Sequence, residues 1–202
     1  MEIGLFYATL ATETLAAVCV VVSIVFPQWR IWPPPRQRAW QKYLMWFLFL
    51  ASAVGVGVLG IIEWGELALP PWVRFVVGTF LGCAGHGLAG WAMVVMGIAT
   101  SFGGESTLIR RGPYRFSRNP QYVGFISALI GWGFLTSSGL TLVASSVGII
   151  PLILVPFAEE KWLLARYGAA YEEYKRAVPR FVSLRSMPLL RSPDGWRSKW
   201  NP

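Results

Sequence analysis

Two groups of residues in this chain have types and spacing suited to chemistry. The first is Gly112-Pro113-Tyr114-Arg115-Phe116-Ser117-Arg118-Asn119-Pro120-Gln121-Tyr122-Val123-Gly124. Gly-Pro and Asn-Pro both punctuate turns, so the run reads as a corner. Its arginines are fixed cationic forks matched to a carboxylate or phosphate. The second is Glu159-Glu160, adjacent carboxylates directly after an apolar run containing Pro151 and Pro156. Carboxylates are unexpected beside the inner leaflet of a membrane, which is itself negative, and this pair is suited to accept from ribose hydroxyls or to hold a cation. Each group also has a structural reading. The arginines would hold membrane topology, with Tyr114 and Tyr122 as interfacial anchors, and the glutamates would complement the dipole at the start of a tail helix.

Other polar residues offer less. His86 is the only histidine and lies between Gly85 and Gly87 in an apolar stretch, where a hydrogen bond between helices is the simplest role. With no second histidine and no cysteine beside it, no metal site is expected. Glu13 is a carboxylate inside the first apolar run and is expected to face other helices. Cys19 and Cys83 both fall inside predicted spans and form neither a disulfide framework nor a metal spacing.

The elements that must position these groups are membrane spans. Of the 202 residues, 54% are hydrophobic and only 14% charged, with a mean hydropathy of +0.49. A soluble domain carries about 25% charged residues, so a soluble globule is excluded, and so is disorder. The apolar residues gather into runs at Leu5–Phe26, Tyr43–Ile62, Phe75–Ile98, Tyr122–Thr136 and Leu140–Phe157. The first begins without a basic segment or a small-residue cleavage site, and is expected to be a retained span. The third is rich in glycine (Gly78, Gly82, Gly85, Gly87, Gly90, Gly97), which favours close helix approach. Ser137-Ser138-Gly139 marks a turn between the last two runs, making them a hairpin. The expected fold is an all-α integral membrane protein with about five transmembrane helices, the last two a hairpin. A cytoplasmic interfacial helix follows from Glu159 to about Ala177, with Trp162, Leu163, Arg166, Tyr167, Ala170, Tyr174 and Ala177 as its semi-apolar stripe. The chain divides at 1–98, 99–187 and 188–202: three N-terminal spans, the segment bearing both chemical groups, and a polar tail expected to be mobile.

The net charge of +8 would suit nucleic acid or an anionic membrane. The basic residues flank the apolar runs, which points to lipid headgroups and away from nucleic acid. The loop after the first run has Arg30, Arg36, Arg38 and Lys42 and no acid. The Thr100–Arg118 segment has Arg110, Arg111, Arg115 and Arg118 against Glu105, and the tail from Ala158 has nine basic and five acidic residues. The strongly positive segments alternate as five crossings require, so the N-terminus is expected outside and the tail in the cytoplasm. A hairpin returns to the face it left, which should bring Asn119-Pro120 and Glu159-Glu160 to the same side.

The Arg/Asn-Pro corner, the apolar hairpin, Glu159-Glu160, and then Tyr167-Gly168, Tyr171, Tyr174 and Val178-Pro179-Arg180 together resemble the isoprenylcysteine carboxyl methyltransferase family, which is similar in turn to the membrane phospholipid N-methyltransferases. The resemblance covers about Gly97 to Phe181. It implies an integral membrane enzyme that uses S-adenosylmethionine, bound on the cytoplasmic side between the end of the third span, the corner and the tail. The isoprenylcysteine enzymes carry Arg-His-Pro-x-Tyr-x-Gly where this chain has Arg118-Asn119-Pro120-Gln121-Tyr122-Val123-Gly124. Asparagine still donates and accepts hydrogen bonds but is no base near neutral pH, and this version looks like the phosphatidylethanolamine methyltransferase form.

The roles that follow are expectations. Arg118 and Arg115 hold the cofactor's carboxylate or an anionic acceptor, and Asn119, Tyr122 and Tyr114 line its polar end. Glu160 with Glu159 takes ribose hydroxyls or the amino group, and Gly97 and Gly124 permit close backbone approach. Arg180 closes the pocket on the substrate. Arg118, Asn119 and Glu160 are the residues expected to carry the reaction, a methyl transfer to a lipid-like or small amphiphilic acceptor whose main requirement is alignment. Two other readings remain at this level. One is an NADPH-dependent membrane reductase of the sterol reductase type, which looks distantly similar in this segment. The other is a small non-enzymatic transporter lined by Glu13, His86 and the glycine-rich span.

Overall fold

The computed structural model describes residues 1–35, 39–97, 100 and 107–183, and the regular structure in them is helical. Among the described residues the helices are, in order, α1 Glu2–Val25, α2 Trp40–Ile62, α3 Trp72–Met96, α4 Pro120–Thr136, α5 Gly139–Tyr167 and α6 Ala169–Ala177. Short 3-10 turns at Pro27–Trp29 and Gly112–Arg115 follow α1 and precede α4. Arg36, Arg38, Ile98, Glu105 and the polar tail from 188 onward lie outside the described residues.

Helices α1, α2, α3 and α5 are long and apolar enough to cross a membrane, and the chain is a multi-pass membrane protein. α4 has 17 residues, about 25 Å of helix against a hydrocarbon core of about 30 Å. Two small-residue seams join it to α3. A Cβ added at Gly85 would lie 2.5 Å from the Gly124 carbonyl oxygen, and one at Gly124 2.6 Å from that of Gly85. A turn or two away, a Cβ at Gly78 would meet the Leu135 amide at 2.7 Å. Of the third span's glycines, Gly78 and Gly85 thus serve the close packing expected of them, whereas a Cβ at Gly82, Gly87 or Gly90 would meet nothing within 4 Å. The remaining helices pack α1 against α2 and α5 around Ala16, Val20, Met45, Leu48 and Val155.

The hairpin turn is where the sequence placed it. Ser137 takes the left-handed conformation at φ 53°, and Ser138 caps α5 by accepting from the Thr141 amide at 3.1 Å. The next boundary differs. No tail helix starts at Glu159: α5 runs through Pro151 and Pro156 to Tyr167 and stops at Gly168, whose φ of +51° a side chain would resist. Neighbouring helices let a membrane helix keep internal prolines, so these do not mark an end. The glutamates therefore sit well inside a helix, and the dipole account of them falls. The break at Gly168 also shifts the register of α6, which buries Tyr171, Tyr174 and Val178 with Leu163 and Tyr167 against it. Ala170 and Ala177 of the expected stripe are exposed.

Candidate functional site at the corner and the tail

The corner is built from the end of the Gly112–Arg115 turn and the first turn of α4. Gly112 has φ +58°, which suits glycine, and Pro113 fixes the next residue. Pro120 opens α4, where its missing N–H costs nothing. After α6 the chain extends along this corner as a strap. The Arg118 amide donates to the Pro179 carbonyl (2.9 Å), and Arg118 Nε donates to the Val178 carbonyl (3.0 Å). Asn119 Nδ2 and Ser117 Oγ both donate to the Arg180 carbonyl, at 2.9 and 3.2 Å. Segments some sixty residues apart in sequence are thus tied by backbone carbonyls that accept from three successive corner residues.

Glu160 stands at the centre of the charge pattern. Arg118 Nη1 lies 2.8 Å from its Oε1, and Arg180 grips both oxygens, Nε to Oε1 at 2.6 Å and Nη2 to Oε2 at 2.8 Å. The Arg118 and Glu160 side chains are 7% and 13% exposed and that of Arg180 31%, so two cations share one carboxylate in a mostly dry place. The excess is a positive charge. The Arg180 guanidinium also lies 3.8 Å from the Phe157 ring centroid, and its hydrogen bonds to Glu160 hold its pKa above the ordinary value. Arg118 Nη1 donates to the Tyr171 hydroxyl at 3.1 Å, whose own pKa burial pushes up to about 12.

Glu159, one residue earlier, faces a different set. Its Oε1 accepts from the Tyr122 hydroxyl and from the Trp32 indole N–H, each at 2.8 Å. Tyr114 is buried near it; burial first, and the Glu159 charge second, keep the Tyr114 phenol protonated far into the alkaline range. The Tyr114 hydroxyl has no hydrogen-bond partner among the described residues, while its carbonyl accepts from the Tyr174 hydroxyl at 2.8 Å.

Of the residues singled out in the sequence, Arg118, Asn119, Glu160 and Arg180 come together in one network, and Tyr114, Tyr122 and Glu159 form an adjoining one. Arg115 ends the 3-10 turn in the same corner. Gly97 ends α3 with φ +93°. Gly124 is packed against Gly85 and Ala89 of α3, so the close backbone approach it permits is to that helix. His86 is exposed on the outer face of α3, its Nδ1 donating to the Gly82 carbonyl at 2.9 Å. Glu13 is buried and accepts from Ser52 of α2 at 2.9 Å, a contact between helices as expected. Among the described residues no group of three His, Cys, Asp or Glu side chains is arranged to hold a metal ion. Trp32 was not read from the sequence as part of the site; its position beside three prolines gave no local signal of a partner 127 residues away.

Comparison with known proteins bears on the same stretch. Residues 73–170 match the phospholipid methyltransferase family model. The chain is 30% identical over 111 residues to steroid 5-alpha-reductase DET2 of Solanum lycopersicum, covering 55% of this chain and 43% of that one. It is 29% identical over 114 residues to protein-S-isoprenylcysteine O-methyltransferase of Schizosaccharomyces pombe, covering 50% and 46%. With methanethiol S-methyltransferase 2 of Bradyrhizobium diazoefficiens it shares 25% identity over 174 residues, covering 74% and 65%. The matches span less than half the length of the first two relatives. No solved structure matches. The resemblance carried by the corner, hairpin and glutamates thus holds: residues 73–170 are similar to the membrane phospholipid methyltransferases.

Proposed function

We propose that the protein is an integral membrane methyltransferase that uses S-adenosylmethionine and acts on a lipid-like or small amphiphilic acceptor, with the N-terminus outside and the site on the cytoplasmic face. The observation that carries this reading is the convergence of Arg118, Asn119, Glu160 and Arg180, brought from two distant segments to one end of the bundle. The donor set fits the cofactor. Two guanidiniums share one carboxylate, which leaves positive charge for the cofactor's carboxylate. A carboxylate offers about four acceptor positions, and the three bonds to Glu160 leave room for a ribose hydroxyl. The buried Tyr114 hydroxyl, without a hydrogen-bond partner among the described residues, supplies a further donor beside Glu159.

When bound, the cofactor supplies an activated methyl group on a sulfonium, so the chain's residues have mainly to bind, orient and exclude water. Arg118, together with Arg115 of the same corner, holds the anionic end; Asn119 orients it without acting as a base. Glu160 and Glu159 hold the hydroxyl or amino groups, with Tyr122 steadying Glu159. Gly97 lets the end of α3 lie close by. Arg180, over Phe157, closes the site on the acceptor side. Calorimetry with S-adenosylhomocysteine tests this: the unmodified protein binds, and Glu160→Ala and Asn119→Ala lose affinity while remaining folded. Incubation with labelled S-adenosylmethionine and a membrane lipid extract then identifies the acceptor.

A second reading, an NADPH-dependent membrane reductase, is favoured by the likeness to steroid 5-alpha-reductase DET2. The same cationic corner would suit a nucleotide phosphate. A ligand that binds the native state raises its melting temperature, so S-adenosylhomocysteine and NADPH compared on the detergent-solubilised protein decide between the readings.

A further inference from the structure

The two neighbouring glutamates have different partners, and one of those of Glu159 comes from the N-terminal half of the chain. Glu160 is bound by the corner and the strap, both in the C-terminal half. Glu159 is bound by Tyr122 and by Trp32, and Trp32 belongs to the loop between α1 and α2, outside the stretch matched by the family model. That loop is itself fixed. Ser23 Oγ, near the end of α1, accepts from the Ile31 and Trp32 amides at 3.0 Å each, and donates to the Cys19 carbonyl at 2.7 Å. Lys161, one residue past Glu160, donates to the Ile24 carbonyl at 2.8 Å. Trp32 is 6% exposed and packs with Met45, Leu48, Val155 and Tyr122. An indole N–H is a donor only and usually finds a partner when buried; here the partner is a carboxylate of the proposed site.

We propose that Trp32 is a positioning residue for this site: its indole N–H and the Tyr122 hydroxyl together fix the Glu159 carboxylate beside Tyr114, so that the first two helices complete a ligand site whose other walls lie in the C-terminal half. Both donors go to Oε1, which sets the plane of the carboxyl group and leaves Oε2 engaged by neither. A phenylalanine at 32 would fill most of the space yet give no donor, and Glu159 would be held from one side only. Trp29, in the same loop, is 72% exposed and serves as the control.

The inference rests on the reading of this site as one for an adenosyl cofactor, and the test separates the two. Affinity for S-adenosylhomocysteine is measured in the unmodified protein and in Trp32→Phe, Trp29→Phe, Glu159→Gln and the double variant Trp32→Phe/Glu159→Gln, with melting temperatures alongside. The expected result is about tenfold weaker binding in Trp32→Phe, a loss of about 1.4 kcal/mol, and no change in Trp29→Phe. Once Glu159 is Gln, Trp32→Phe should weaken binding less than twofold further, because the two residues act as one unit. A lower melting temperature with unchanged affinity in Trp32→Phe overturns the proposal, as does strict additivity in the double variant. If the unmodified protein binds NADPH and not S-adenosylhomocysteine, the methyltransferase reading fails, and the same comparison made with NADPH decides the role of Trp32. Binding of neither overturns both.

Discussion

The bundle has glutamates at both ends, and they are held in opposite ways. At the end where α2 leads to α3, Glu63 Oε2 accepts from the Ser138 hydroxyl at 2.9 Å, and Glu66 Oε2 accepts from the Gly139 amide at 3.1 Å. Around them the backbone closes on itself: the Gly65 amide donates to the Thr136 carbonyl and the Leu67 amide to that of Ser137, each at 2.7 Å. Carboxylates at the N-terminus of α5 satisfy orphan amides and the helix dipole, so these two complete a turn. At the other end Glu160 sits mid-helix, far from any unpaired amide, and takes two guanidiniums instead. An acid that closes a turn needs no cation. An acid with two cations leaves charge for something else.

The largest difference should appear when the central acid is removed. Glu160→Ala leaves Arg118 and Arg180 facing each other in a mostly buried place. Losing one partner of a buried ion pair costs about 3 kcal/mol, and the strap should loosen from the corner. In thermal unfolding of the solubilised protein the midpoint should fall by several degrees, and binding of S-adenosylhomocysteine should weaken by more than about a hundredfold. Glu63→Ala, the matching change at the far end, should leave binding within twofold of the unmodified protein. Equal loss of binding in both would erase the contrast.

Arg180→Ala should come next. It removes the more exposed of the two cations and its contact with Phe157, while Arg118 still neutralises Glu160. A charge-assisted hydrogen bond contributes about 1.5 to 3 kcal/mol, and exposure places this one at the low end. Protease cleavage after residue 178 should become faster and affinity fall about tenfold. Asn119→Ala removes a neutral bond to the Arg180 carbonyl, about 1 kcal/mol, along with the amide that orients the ligand, and should affect both readouts less than Arg180→Ala.

At the far end, Ser138→Ala removes the cap of α5 and the donor to Glu63 together. Loss of a helix cap costs about 1 kcal/mol. Its melting temperature should drop with no change in ligand affinity, which sharpens the division between an end that folds the chain and an end that binds.

How much of this was written in the sequence varies with the range of the interaction involved. Four of the five expected spans, the Ser137-Ser138-Gly139 turn and the return of Glu160 to the side of Asn119 were legible, because hydropathy runs, turn residues and hairpin parity are local or countable; the fifth run forms α4, which at 17 residues is not among the helices long enough to cross. The course of α5 was not. Pro151, Pro156 and an acidic pair resemble a boundary, yet neighbouring helices sustain the helix, and only Gly168 ends it. The stripe expected on the tail was likewise moved by that break, from Ala170 to Tyr171. Gly124, expected to give close backbone approach to the cofactor, lies against Gly85 of α3; a small residue reports that something comes close, never what. Trp32 and Glu159 are 127 residues apart in sequence, and no spacing rule reaches that far.

The smallest effect is one of alkaline pH, and it separates the ends without any substitution in the ion-pair network. Unfolded tyrosines ionise near pH 10. Burial raises the Tyr171 phenol to about 12 and holds Tyr114 and Tyr174 higher still; all three are at the corner and tail. A group whose proton is held more tightly in the folded state adds stability that is complete below the unfolded pKa and is lost as pH rises through the folded one. Between pH 7 and 9 these residues should therefore contribute a constant amount. Above pH 10 the unfolded state gains by ionising first, and the tail should begin to detach while the hairpin turn, which has no such group among its described contacts, stays closed. Tyrosinate absorbance would follow this: the difference between the unmodified protein and Tyr171→Phe should show a step near pH 12, with hydrogen exchange rising first in α6. A Tyr171 step near pH 10, with α6 still protected, would mean that the tail is not packed on the corner as described.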